Sequence, residues 1–519
     1  MQKYNQGLFY DWVPKPIMLL LIMILALVLF SISPIYTANI SYMVSSLGAM
    51  TEDLIWANYA SVIGMGLAMP LFLRLKARFR VKEILTTSFV GMAFLFWVMA
   101  TTDQTGIIIG ASLLIGFLKM LGMMEILLPL MAILSSDGNR GRFYSIFYTS
   151  VLIMSQVSGY YITSLSYHYN WQHAYLVIAA VCLATALLCL SFLHNLRFMR
   201  KVPLYYIDWL SALLFTLCFM VLAYILAFGK QQAWFDSTLI KEATAAFVIL
   251  LFTVIIRQQL MVRPFLPLKA FSRSNVLHGI LMLAFLGMYL ALANIQNIFT
   301  IGILGYNPLR NASLNLMMIP GLLLGAVVSL KWFNRRIPVK MLIFSGFAAF
   351  LFYTVILYFS MVLEFSYEGW MLPMFFRGYG MGVLFVSIWY YTLDKLGMHE
   401  LLAAIGFILV WRTFISLGAF TSLLSWVQYR LQWQEMGNLS VYVDDTILFS
   451  PNNNFNLRSI QLNGMLAANK TLLGYLCIVG IGILIYVIFH RFGKTQQLLL
   501  RIRMGRNKKF WISRQKAKR

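Results

Sequence analysis

FLKMLGMM (residues 117–124) recurs without a gap as FFRGYGMG (residues 375–382). The two octets share a phenylalanine, a cation in third place (Lys119, Arg377), a glycine (Gly122, Gly380) and a methionine (Met123, Met381). Both lie inside apolar runs, 106–134 and 369–393. A charge at the centre of a bilayer costs about 2.5–3.5 kcal/mol on insertion scales, so such residues are rare and usually functional. Eight positions are weak evidence alone, because small residues are common wherever helices pack. Their place in the chain is what gives the match weight.

The chain has 519 residues, of which 61% are hydrophobic and 11% charged, and its mean hydropathy is +0.77. A soluble domain carries roughly 25% charged residues, so lipid solvates most of this chain. Fourteen apolar spans are expected, near 16–40, 53–73, 84–102, 106–134, 143–165, 174–193, 207–228, 239–256, 275–303, 312–330, 341–363, 369–393, 401–427 and 471–489. Each approaches the length needed to cross the roughly 30 Å hydrocarbon layer as a helix. The first follows Lys15 and lacks a small-residue cleavage site, so it reads as a retained anchor helix rather than a signal peptide.

The net charge of +24 raises the question of nucleic acid, and its placement answers it. Alternate connections hold the cations: Arg74, Lys76, Arg78, Arg80 and Lys82; Arg140 and Arg142; Arg197, Arg200 and Lys201; Arg257, Arg263, Lys269 and Arg273; Lys331, Arg335, Arg336 and Lys340. The tail 490–519 is basic throughout and has no acid. The positive-inside rule therefore places both termini in the cytoplasm, and no nucleic-acid role is needed. The four cysteines (Cys182, Cys189, Cys218, Cys477) lie in apolar runs with no disulfide or metal-ligand spacing. No clustered histidines, paired carboxylates or nucleophile–base set marks an enzyme, and no metal or cofactor is expected.

The octets fall in the fourth and twelfth spans, which run in the same direction across the membrane. Spans 1–6 and 9–14 then form parallel halves, with two spans inserted between them. Parallel six-helix repeats characterise major-facilitator transporters, whose substrate site lies between the halves near the midplane. The expected fold is an all-α membrane protein of 14 transmembrane helices: two parallel six-helix bundles plus two inserted linker helices. Its expected parts are an N-terminal bundle (1–200), a linker (201–268), a C-terminal bundle (269–489) and a cytoplasmic tail (490–519).

Longer stretches sharpen the resemblance. These are IDWLSALLFTLCFMVLAYILAFGKQQAWFDSTLI (207–240), RPFLPLKAFSRSNV (263–276), NIQNIFTIGILGYNPLRNASLNLMMIPG (294–321), RGYGMG (377–382) and FILVWRTFISLGAF (407–420). Together they resemble the fourteen-span drug:proton antiporter branch of the major facilitator superfamily, which contains the B-component inner-membrane multidrug pumps. The resemblance implies proton-coupled efflux of amphipathic or hydrophobic small molecules across a bacterial inner membrane. It also implies a periplasmic adaptor and an outer-membrane channel as partners. The alternatives are a transporter of one specific metabolite, or a non-transporting membrane sensor or scaffold of the same fold. Several family features are missing. The late first span reads SPIYTANI (33–40) without an acid, and the fifth-span motif is reduced to MSQVSGYY (154–161), leaving Gly159.

Lys119 and Glu125 are six residues apart, which separates them by about 9 Å along a helix and about 120° around it. They cannot pair on one face, so each needs a partner on another helix or a water-filled cavity. Glu125, the one acid deep in a span, is the candidate for proton coupling. Lys119, Arg377 and Arg412 are the candidates for a central substrate cavity. Gly122, Gly159, Gly378, Gly380, Gly382 and Pro320 are expected at helix packing points. Asp208 reads as a helix cap and His278 as an interfacial ring. The polar segment 428–470 is expected to be a long periplasmic loop and the adaptor's docking site.

Overall fold

The computed structural model describes residues 8–134, 140–195, 207–261, 264–268, 271, 273–335, 337–394, 396–440, 453–490 and 492. The first span is α1 (Lys15–Ser31), broken at Pro34 and continued by α2 (Ile35–Ala38) and α3 (Ile40–Leu47). Five long helices follow: α4 (Thr51–Arg78), α5 (Val81–Thr101), α6 (Thr105–Leu134), α7 (Arg140–His168) and α8 (Trp171–Phe192). Next come α9 (Trp209–Phe228) and α10 (Thr238–Leu260), the pair expected to be inserted. The second series comprises α11 (Ser274–Asn297), α12 (Pro308–Leu316), α13 (Ile319–Asn334), α14 (Val339–Ser360), α15 (Met371–Thr392), α16 (Met398–Thr413), α17 (Thr421–Ser440) and α18 (Asn453–Phe489). π-helical turns at Ile298–Ile303 and Phe414–Phe420 carry α11 toward α12 and α16 into α17. Among the described residues the only β-pairing is an isolated bridge between Phe9 and Leu193.

Thirteen helical segments among the described residues are long and apolar enough to cross a membrane. They match the expected spans except for the fifth, 143–165. That stretch is helical, as α7, and 29 residues long, about 43 Å, but it is less apolar than the rest. The reason is its position. α7 packs against α1 on one side and against α12, α13 and α15 on the other, so its buried Ser145, Thr149, Ser158, Thr163 and Ser166 face protein. The hydroxyls of Ser145, Ser158, Thr163 and Ser166 bond back to the helix's own carbonyls, as Ser145 does to Gly141 at 2.8 Å and Thr163 to Gly159 at 3.0 Å; that of Thr149 is buried with no partner. At the other extreme, only 6% of the apolar window in α10 is buried. Its Ile249, Phe252 and Ile256 are exposed, which is the signature of a lipid-facing helix.

The same packing scheme occurs twice. α4 packs on α6, α5 on α6 and on α8; correspondingly α13 packs on α15, α14 on α15 and on α18. Each set encloses its own apolar core. In the first, α4 and α6 cross so closely that a Cβ on Gly116 would strike the carbonyl of Ser61, and one on Gly64 that of Leu113. In the second, α13 and α15 cross in the same way, with Gly321 against Phe375 and Gly378 against Met318. The two cores interlock: Val410 and Phe414 pack with the first core, and Leu152 packs with the second.

The expected loop 428–470 is corrected in its helical parts. α17 runs to Ser440 and α18 begins at Asn453, and the two pack together, with Gly464 against Met436; residues 441–452 lie outside the described set. The polar composition that suggested a loop belongs to the ends of these two helices. Trp426, Tyr429 and Trp433 repeat at helical spacing on an exposed face of α17, the composition of an aromatic belt. The basic tail 490–519 is outside the described residues, apart from His490 and Phe492.

Candidate functional site

Lys119 stands midway along α6 and is buried, 8% exposed. Its ammonium donates to the hydroxyl of Ser33, in the break that Pro34 makes in the first span. Ser33 itself stays exposed, so the bond borders an open space. Arg412, at the end of α16 in the other series, is joined to this break by a run of rings, Phe30 on Phe147 at 5.5 Å, Phe147 on Tyr148 at 5.3 Å and Tyr148 on Phe385 at 6.5 Å, and the Lys119 and Arg412 charges repel. Its guanidinium sits 5.1 Å over the ring of Phe385 on α15 and beside the phenol of Tyr148 on α7. Tyr148 in turn stacks on Trp389 at 5.6 Å. The π-helical turn starts two residues after Arg412, and such turns often mark functional places in helices.

Arg377 is the counterpart of Lys119 in the repeat, and it is committed to its own half. Its Nη1 donates to Gln296 Oε1 on α11 at 3.0 Å, and Tyr353 on α14 donates to the same oxygen at 2.9 Å. Its charge also lies 5.9 Å from the Tyr353 ring, while Nε is buried without an acceptor. Lys119 and Arg377 therefore repeat a theme: the cation on α6 is tethered to the break in the first span, and the cation on α15 to α11. Only Lys119 of the two is brought to Arg412.

Glu125 is buried, and its Oε2 accepts from Lys76 on α4 at 2.7 Å. Lys76 was expected in a cytoplasmic connection; α4 instead continues to Arg78 and holds Lys76 in its last turn. Oε1 of Glu125 is buried with no hydrogen-bond partner. Pro129 lies inside α6 four residues later. It has no N–H to close on the backbone carbonyl of Glu125, which loosens the helix at this point. Lys119 and Glu125 thus have separate partners on separate helices.

Among the packing residues, Gly378 is required by the Met318 carbonyl, and a Cβ on Gly380 would come within 2.8 Å of the Phe350 ring. Gly122, Gly159 and Gly382 meet only ordinary contacts of 3.4 Å or more. Pro320 opens α13 and borders an outer cleft of about 600 Å³ with Tyr367 and Met371. Gly64, Gly116 and Gly321 were missed, because nothing in one sequence says which glycine meets a backbone. Ser33, Gln296 and Tyr353 were missed for the same reason. Asp208 caps α9 by accepting from the Ser211 amide and pairs with Arg257 at 2.9 Å. Burial pulls its carboxyl up, but the bonds from Ser211 and Arg257 prevail and hold it below the ordinary range. His278 bonds the Tyr486 hydroxyl at 2.9 Å, and its ring lies 4.2 Å from that of His490.

The Major Facilitator Superfamily model matches residues 18–420. No curated protein matches the sequence significantly. Among solved structures, the nucleoside transporter NupG aligns with a TM-score of 0.52 and 13% identity, over 91% of this chain and 99% of that one. Tetrameric PepTSo2 aligns with a TM-score of 0.53 and 14% identity, over 90% and 97%. A structure of proton dependent oligopeptide transporters aligns with a TM-score of 0.55 and 13% identity, over 90% and 98%. At these identities the likeness is one of fold, and it runs the length of the chains. The chain belongs to the Major Facilitator Superfamily and has the fold of a multi-pass membrane transporter.

Proposed function

We propose that this protein is an alternating-access exporter of amphipathic or hydrophobic compounds, driven by protons across a bacterial inner membrane. The observation that carries this reading is the duplicated packing, α4 on α6 and α13 on α15 at backbone contact. Two rigid, equivalent halves can rock about a site between them. In this reading α7 is a fourteenth span, and 1–200 and 269–489 are the two bundles. The basic connections and the tail 490–519 then face the cytoplasm. Glu125 exchanges the driving proton when its bond to Lys76 opens. The α17–α18 hairpin faces the periplasm, where an adaptor leading to an outer-membrane channel would dock.

Transport of one specific metabolite is the second reading. The fixed pair Lys119–Ser33 and the facing Arg412 favour it, since placed charges select more narrowly than an apolar cavity. Proteoliposomes loaded with a pH dye separate transport from a sensing or scaffolding role. A panel of amphipathic compounds should include members whose addition releases protons, and Glu125→Gln should abolish that release while compound exchange continues. A correctly folded protein that moves no compound would sink the transport reading. Shortening the hairpin should leave insertion intact and reduce whole-cell export; unchanged export would remove the adaptor.

A further inference from the structure

Cations inside this protein mostly have acceptors. Lys76 has Glu125, Arg257 has Asp208, and Arg377 has the Gln296 carbonyl. Lys119 and Arg412 differ. They come from opposite series of helices, and one cluster joins them: Ser33, which holds Lys119, lies one turn past Phe30, whose ring meets Phe147 at 5.5 Å, while Tyr148 next to it meets Phe385, the ring under Arg412. Among the described residues neither cation meets a carboxylate. Lys119 has one hydroxyl, that of Ser33, and Arg412 has an aromatic face and a phenol. Repulsion between like charges is several times stronger in a low-dielectric interior than in water. A sequence that places two such charges across the seam, with no internal counter-ion, leaves that role to something else.

We infer that the transported compound is an organic anion, whose acidic group bridges Lys119 and Arg412. Its apolar body lies against Tyr148, Phe385 and Trp389, which already stack into one aromatic wall beside Arg412. This deepens the transport reading and rests on it. It also ties loading to movement. Without the anion, closing the halves over the site forces two cations together; with it, the same closure brings both onto one negative charge. Arg377 has no part in this, because its guanidinium is spent on Gln296 within one half.

The test uses the full chain in phosphatidylcholine nanodiscs with three probes of one shape: 2-naphthoate, 2-naphthamide and 2-naphthylmethylammonium. Tryptophan quenching and thermal shift should show naphthoate binding at least about 10-fold tighter than either analogue. Arg412→Gln and Lys119→Gln should each erase that preference, Arg412→Lys should retain it, and Arg310→Gln on α12, where the guanidinium lies over Tyr306 and Tyr367, should leave it intact. Equal binding of the three probes, or a preference that survives both Gln substitutions, overturns the proposal. Lys119→Gln should also hold or raise the melting temperature of the empty protein, since it removes a repulsion. A clear drop would mark Lys119 as a brace and overturn the proposal without any probe. Competition by added phosphatidylglycerol would assign the anion to a lipid headgroup and overturn the soluble acid. In proteoliposomes, naphthoate that binds but does not cross defeats the transport reading alone. Equal movement of all three probes defeats the anion site alone.

Discussion

Glu125 shows how much of a buried charge a sequence can disclose. Its depth is legible, because it is the one acid far inside an apolar run. Its partner is not, because Lys76 stands near the end of such a run and reads as the start of a loop. The pair is nearly dry, with side-chain exposures of 12% for Lys76 and 0% for Glu125. Removing one partner from a buried pair strands the other charge and costs about 3–5 kcal/mol. Lys76→Met and Glu125→Gln should therefore each lower stability in detergent, and the double variant should recover most of the loss. Additive losses in that cycle would show that the contact carries no coupling. His490 offers a pH test outside the membrane. Burial, with His278 and Lys340 beside it, holds its imidazole below the ordinary 6.5. The unfolded chain then binds the proton more readily than the folded one. The stability that follows is complete above pH 6.5 and is lost as pH falls through that value. His490→Gln should flatten the melting profile on the acid side, between about pH 5 and 7. A profile with the wild-type slope would place the sensitivity elsewhere.

Helices α4 and α6 meet at Gly64 and Gly116, and α13 and α15 at Gly321 and Gly378. In each pair a side chain would have to enter the neighbouring backbone, which has no rotamer to yield. Gly116→Val and Gly378→Val should each cost upward of about 3 kcal/mol and sharply reduce the folded, monodisperse yield. Gly110→Ala makes the control, since nothing lies within 4 Å of a Cβ there. Equal yields for all three would mean that the crossings relax apart. The octet repeat pointed to α6 and α15 but not to these contacts, because a repeat reports ancestry of sequence and not which atoms touch. Helix α7 is the opposite case. Its position in the order of spans was legible, yet its serines, threonines and glutamine make it look less like a membrane helix, because its neighbours are helices rather than lipid. The ends of α17 and α18 misled for a related reason: outside the bilayer a helix is free to be polar, and polarity alone resembles a loop.

In the proposed cycle, the two halves hold each other through contacts that alternating access would have to break and remake. Tyr59 of α4 packs on Phe414 at 4.9 Å between ring centres, and Gly66 and Gly406 bring α4 and α16 to backbone distance. Pro70 lies inside α4 and has no N–H for the carbonyl of Gly66, the atom that faces Gly406. That crossing is therefore made by a helix already loosened at the point of contact, as a surface that slides requires. Tyr148 on Trp389 provides a second inter-half contact, 5.6 Å between rings. A rocking carrier should stop when the α4–α16 contact is made permanent. After replacement of Cys182, Cys189, Cys218 and Cys477, the pair Tyr59→Cys/Phe414→Cys should cross-link under mild oxidation. The link should arrest compound movement in proteoliposomes, and reduction should restore it. Tyr289 and Phe350 stack at 5.1 Å within one half, so Tyr289→Cys/Phe350→Cys should cross-link with transport preserved. A cross-linked inter-half pair that still transports at the reduced rate would mean that the halves do not move against each other there, and the rocking axis would have to be placed elsewhere.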